Sequence, residues 1–119
     1  MRVMISMPMN YFNWRSTYAD VKNRLEAKGY EVTPLTYKEL YGKRPPDIVE
    51  ELCNNDSYRV YAAPLLSMST AFVRMAISDA VYFCHGWKEA RGCRLEHQAA
   101  TDYGLKILYE DAIEDENEN

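Results

Sequence analysis

The chain has 119 residues, 47% of them apolar and 13% aromatic, and carries a formal net charge of −4. That length accommodates one domain with a single real core, and the apolar content is that of a chain that folds. The acidic balance argues against a binder of the nucleic-acid backbone, and no apolar run approaches the about 18 residues that a membrane span needs. The opening Met1–Ser6 reads as a strand rather than a signal peptide, because the apolar run is short and Pro8 ends it. Cys53, Cys84 and Cys93 form an odd set without regular spacing, which suggests reduced thiols and a cytoplasmic protein.

In chain order, Arg2–Ser6 is expected to be a central strand and Met7–Asn13 a loop. A helix starts at Trp14 or Arg15, with Asn13 or Ser16 as its cap, and runs to Lys28 before Gly29 stops it. Tyr18, Val21 and Leu25 recur on one face of that helix. Tyr30–Leu35 alternates apolar and polar residues as a second strand near an edge, parallel to the first by a right-handed crossover. Thr36–Arg44 reads as loop, and Pro45-Pro46-Asp47 as the start of a short helix to Leu52. Tyr58–Ala62 is either a short strand or the lead-in to the next helix, Leu66–Ile77, whose inward face carries Leu66, Ser69 or Thr70, Val73 and Ile77. Ala80–Cys84 is a wholly apolar strand covered on both faces. Glu89–Tyr103 is a helix stopped by Gly104, and Leu105–Tyr109 is the last strand. Residues 1–110 thus form the domain, and 111–119 an acidic, flexible tail.

Strands alternating with helices predict a three-layer α/β domain, with a flavodoxin- or Rossmann-like parallel sheet of four or five strands in the order 2-1-3-4-5. The first strand and Ala80–Cys84 then flank the switch point, so the loops Ser6–Asn13 and His85–Arg91 line one cleft. Glu96 is the residue that does not fit a bland helix. At about 100° per residue, Gly92, Cys93, Ala99, Ala100 and Tyr103 fall within about 60° of it. Arg94, Gln98, Thr101 and Asp102 lie opposite, so Glu96 points into the small, apolar face. A carboxylate there is costly unless it is paired, hydrogen-bonded or used. Pairing with a buried arginine and accepting bonds from the first-strand loop are its two structural readings.

These residues also carry a resemblance. Met4-Ile-Ser-Met-Pro-Met9, Asp79-Ala-Val-Tyr-Phe83, Gly86-Trp87, Glu89-Ala-Arg-Gly92, and Glu96 with Ala99 and Gly104 resemble the nucleoside 2-deoxyribosyltransferase-like superfamily. The nearest part of it is its small branch of unknown function from bacteria and phages. The resemblance implies cleavage or transfer of the N-glycosidic bond of a nucleoside or nucleoside 5′-monophosphate, as hydrolase or transferase, without metal or organic cofactor. Glu96 matches the nucleophile, which relatives carry on the helix after the fourth strand. Such a carboxylate traps an oxocarbenium-like sugar covalently, and a nearby helix N-terminus would help keep it ionised. By position, Ser6, Met7, Pro8 and Met9 hold the sugar or phosphate, and Gly92 lets substrate approach the backbone. Glu89 and Arg91 flank position 90, and Tyr11 or Trp87 is a candidate to stack on the base, either being equally suited to fill a gap between subunits. Relatives assemble as dimers or larger, which implies a homo-oligomer.

Two departures support an alternative, a nucleotide-binding or sensing module without turnover. Ala90 stands where active relatives often carry Ser or Asp, and Ala71–Met75 lacks the Asp of their preceding helix, although Arg91, Arg15 or Arg74 can compensate. A third possibility is a structural protein with a vestigial cleft. Asp79 reads as a turn or cap residue. Cys84, His85, Cys93 and His97 invite a zinc site, but adjacent Cys84 and His85 point oppositely on a strand and no paired cysteine motif exists. Met1, Met4, Met7 and Met9 read as core and loop filler.

Overall fold

A computed structural model describes residues 1–42, 51, 54 and 59–111. The described elements run β1 (Arg2–Ser6), α1 (Trp14–Ala27), β2 (Glu31–Val32), α2 (Tyr37–Tyr41) and α3 (Arg59–Ala76). They continue with β3 (Ala80–Phe83), a 3-10 turn (Trp87–Glu89), α4 (Arg91–Asp102) and β4 (Lys106–Tyr109). The four strands form one all-parallel sheet in the order β2-β1-β3-β4. Val3 to Ser6 pair with Ala80 to Phe83, and Ala80 to Phe83 with Lys106 to Tyr109. Among the described residues there is no fifth strand.

Successive side chains of β1 and β3 point to opposite faces, and both faces are covered. Val3, Ile5, Ala80 and Cys84 pack with Val21 and Leu25 of α1. Met4, Val81 and Phe83 pack with Ala71 and Met75 of α3 and Cys93 and Ala100 of α4. This is the expected three-layer α/β arrangement, helices on each side of a buried sheet. The chain crosses to one side of β1 for β2 and to the other for β3 and β4, so the switch point lies between β1 and β3.

Both α1 and α4 end on a glycine with positive φ, 92° at Gly29 and 74° at Gly104. There Tyr30 N donates to Leu25 O and Leu105 N to Ala100 O, the six-to-one bond that closes a helix and turns the chain into the next strand. The methionines divide into core and loop, Met4 and Met7 buried, Met1 and Met9 exposed. Asp79 accepts from the backbone N–H of Arg2 and so caps the start of the sheet.

Several expectations are corrected. Residues 36–41 are not loop: the Thr36 hydroxyl accepts from Glu39 N and starts α2. The second strand is only two residues long, because after Val32 the chain leaves the sheet toward α2. Of the two readings of Tyr58–Ala62 the lead-in to the next helix holds over its described part, since α3 already begins at Arg59 and Pro64 lies within it. The buried stripe of α3 is Thr70, Ala71, Arg74 and Met75, while Ile77 is exposed. The registers differ because the sheet takes the face one residue along from the most apolar one. Tyr103 is 87% exposed, because α4 has ended before it would come round to the inner face. Asp111, expected in the tail, pairs with the His85 ring, beside Glu110 of the domain, which accepts from Arg24 and from the His85 N–H. Of the helix expected from Pro45 to Leu52 only Glu51 is among the described residues, and it is helical, while residues 112–119 of the expected tail lie outside them.

Candidate active site

The carboxyl end of β1 opens into a cleft of about 770 Å³, and of the loop expected opposite it only Glu89, Ala90 and Arg91 line the cleft. Its walls come from the β1 loop, the segment leading into α4, the inner face of α3 and the turn before α2. Ser6, Met7, Pro8 and Met9 line it, as do Glu89, Arg91, Gly92 and Glu96. Two candidates stand elsewhere. Tyr11 is not among the lining residues and is exposed at 38%. Trp87 is buried at the other end of the 3-10 turn, stacked on His97 at 4.2 Å between ring centres.

Glu96 lies on the second turn of α4, and only 8% of it is exposed. Its Oε1 accepts the Ser6 hydroxyl at 3.0 Å, so the last residue of β1 holds the carboxylate against the cleft floor. Among the described residues no fully buried side-chain oxygen or nitrogen lacks a partner, so Oε2, which Ser6 does not reach, faces the open cleft. Burial pushes the Glu96 carboxyl up to about 7 from the ordinary 4.5, against the Ser6 bond and the nearby Arg74 charge. The helix N-terminus expected to keep it ionised does not decide the matter. Glu96 is five residues into α4, and the dipole effect fades within the first turn.

Cys93, one turn before Glu96, also lines the cleft. Burial pushes its thiol up to about 11, with a hydrogen bond to Ser6 opposing, so it is a neutral thiol and not a nucleophile at pH 7. The zinc constellation does not assemble: His85 pairs with Asp111, His97 meets the Tyr109 hydroxyl at 2.7 Å, and no group of metal-binding side chains gathers among the described residues.

Arg74 carries more of the site than its sequence position suggests. The residue is only 5% exposed and lines the cleft from α3, and its guanidinium donates from Nε to Pro34 O at 2.9 Å. It stands within Ala71–Met75, the stretch that lacks an Asp. Its signal is an arginine among the apolar residues of Ala71–Ala76, four after Thr70, on what proves to be the buried stripe. Ser67 and Met68 of α3, with Leu35 and Thr36 of the turn before α2, complete walls that the two loops expected from the sequence do not supply.

No helix of the described residues is long and apolar enough to cross a membrane. Comparison with curated proteins and with solved structures finds no match. Residues 1–109 match the model of a domain of unknown function, DUF4406, and with nearly its whole length inside that match the chain belongs to this family.

Proposed function

We propose that the chain cleaves or transfers the N-glycosidic bond of a nucleoside or nucleoside 5′-monophosphate, with Glu96 as nucleophile. The observation that carries this reading is a buried carboxylate with one oxygen held by Ser6 and the other turned to a cleft at the switch point of a parallel sheet. Glu96 Oε2 attacks C1′ of the sugar as the C1′–N bond breaks. The base departs with the bonding pair and takes a proton from solvent, which is returned when water is the acceptor. Water or a second base then attacks C1′ of the glycosyl ester and frees the carboxylate. The Ser6–Met9 loop faces the sugar side, and Arg91 and Glu89 stand at the rim for polar groups of the ligand. No metal or organic cofactor takes part, and the working unit is a homo-oligomer in the cytoplasm. Ala90 in the cleft wall, where active relatives often place a polar side chain, favours the second reading, a nucleotide-binding module without turnover.

The test is to incubate the protein with ribo- and deoxyribonucleosides and their 5′-monophosphates and to quantify free base by chromatography. The expected result is base release from at least one class, lost in Glu96→Ala. No release from any, with a ligand raising Tm in both proteins, selects the binding module.

Gly92 supplies a second check. A Cβ there would meet only Met68 Sδ, at 3.9 Å, an ordinary contact. Gly92→Ala is therefore expected to keep or gain stability, by up to about 1 kcal/mol, since alanine is the better helix former. The methyl group narrows the cleft beside Glu96, so KM for the substrate is expected to rise. Unchanged kinetics would remove close approach to this backbone from the reading.

A further inference from the structure

We propose that Arg74 is the positioning residue of the cleft: its guanidinium, anchored to the ends of β1 and β2, supplies the fixed counter-charge against which the Glu96 carboxylate ionises. The inference rests on Glu96 being the reactive group, and extends it to a residue outside the family motif that suggested Glu96.

One peptide of β1 links the two groups. Arg74 Nη2 donates to Ile5 O at 3.3 Å, and the next residue, Ser6, donates its hydroxyl to Glu96. Arg74 Nε is fixed on Pro34 O beyond β2, and the Tyr18 hydroxyl of α1 is a further partner. The guanidinium is thus tied to three elements that meet at the cleft floor, and its own helix provides the fourth. Such anchoring makes a planar cation a fixed charge rather than a mobile one. Both it and Glu96 are buried and line the same cleft. A pair in that setting feels little screening by salt.

The other buried polar groups lining the cleft do not substitute for it. From β1 comes the neutral Ser6 hydroxyl, from α4 the neutral Cys93 thiol, and from α3 the Thr70 hydroxyl, which is spent on Leu66 O. Glu89 and Arg91, before and at the start of α4, are exposed at the rim, where water screens them. Arg74 is then the one buried cation among the described residues of the cleft. Its place on the buried stripe of α3, with Nη2 on the Ile5 carbonyl of β1, sets it among the buried residues of the cleft rather than on the exposed rim.

The test follows the Glu96 carboxyl carbon by NMR through pH 4–10 in the wild type, Arg74→Gln and Arg74→Lys. The expected result is a midpoint raised by about one unit or more, tenfold in acidity, in Arg74→Gln, and largely restored in Arg74→Lys. In the base-release assay the rising limb of the kcat profile shifts by the same amount, with KM nearly unchanged. Arg74→Gln can lose its fold at high pH, where the carboxylate has lost its partner. It is then expected to fold at pH 5, and Arg74→Gln with Glu96→Gln is expected to fold at both. An unmoved midpoint, or a double variant no more stable at pH 8 than Arg74→Gln alone, overturns the inference. Absence of base release in the wild type removes the catalytic reading, and the NMR titration then decides by itself whether Arg74 sets the ionisation of Glu96.

Discussion

Glu96→Gln is expected to be more stable than the wild-type protein at pH 8, by on the order of 3 kcal/mol, and to match it near pH 4. The carboxyl titrates at about 7 in the fold against 4.5 for an ordinary glutamate. A folded value above the unfolded one means that the native state holds its proton where the unfolded chain has released it. The stabilising contribution of the protonated form is therefore complete below 4.5, declines from there and is gone above 7. Each unit is worth about 1.4 kcal/mol, which sets the size of the loss. Glutamine keeps an oxygen for the Ser6 hydroxyl and has no proton to lose. Other titrating groups act in both proteins, notably Glu110, whose carboxyl is held low by Arg24 and the His85 N–H, and they cancel in the difference. Urea titrations at four pH values between 4 and 8.5 measure it. A difference between the proteins that stays flat with pH would show a carboxylate already well solvated, and would remove the physical basis for singling it out.

The same quantity bears on chemistry. An ionised Glu96 in this cleft is a desolvated anion with one hydrogen bond, a more reactive state than a hydrated carboxylate. Bonding to a sugar carbon turns it into a neutral ester and removes the buried charge. Burial that destabilises the ionised protein thus favours the covalent intermediate over the free carboxylate, and resolution of that intermediate restores the charge. The kcat profile is accordingly expected to rise through about pH 7.

The sheet was legible because its code is short-range. Apolar runs at Arg2–Ser6 and Ala80–Phe83, with Gly29 and Gly104 closing the intervening helices, suffice to order strands and helices. Glu96 was legible for a related reason: a charge on the apolar side of a helix contradicts its local pattern. Thr36–Tyr41 was missed because a five-residue helix has too few turns for periodicity, and its capping threonine looks like any loop residue. The inner face of α3 was misplaced because its apolar residues surround the helix, as Phe72 and Ile77 show by their exposure. With that face misplaced, Arg74 stands out only as one of three arginines, with Arg15 and Arg91, able to compensate for the missing polar groups. Its anchoring to Ile5 and Pro34 is a long-range fact, set by residues 69 and 40 positions away.

Trp87→Ala is expected to lower stability by about 3–5 kcal/mol, the range for emptying a large aromatic site in a core. The indole was a candidate to stack on a nucleobase, but its ring stands 5.2 Å from Phe83, 4.2 Å from His97 and 5.9 Å from Tyr109. These four rings join β3, the 3-10 turn, α4 and β4 into one cluster on the face of the sheet that carries the cleft. The indole shares its core with Cys93 and Ala100, so it seats the start of α4 against the sheet. Its effect on the site is therefore indirect. Loss of the ring loosens the helix that carries Glu96, and any drop in turnover is expected to follow the fraction unfolded and to recover on cooling. Urea unfolding read by circular dichroism gives the first quantity, and base release at two temperatures the second. A stability loss below about 1 kcal/mol together with a tenfold weaker ligand would instead place the indole in the cleft, in contact with the base.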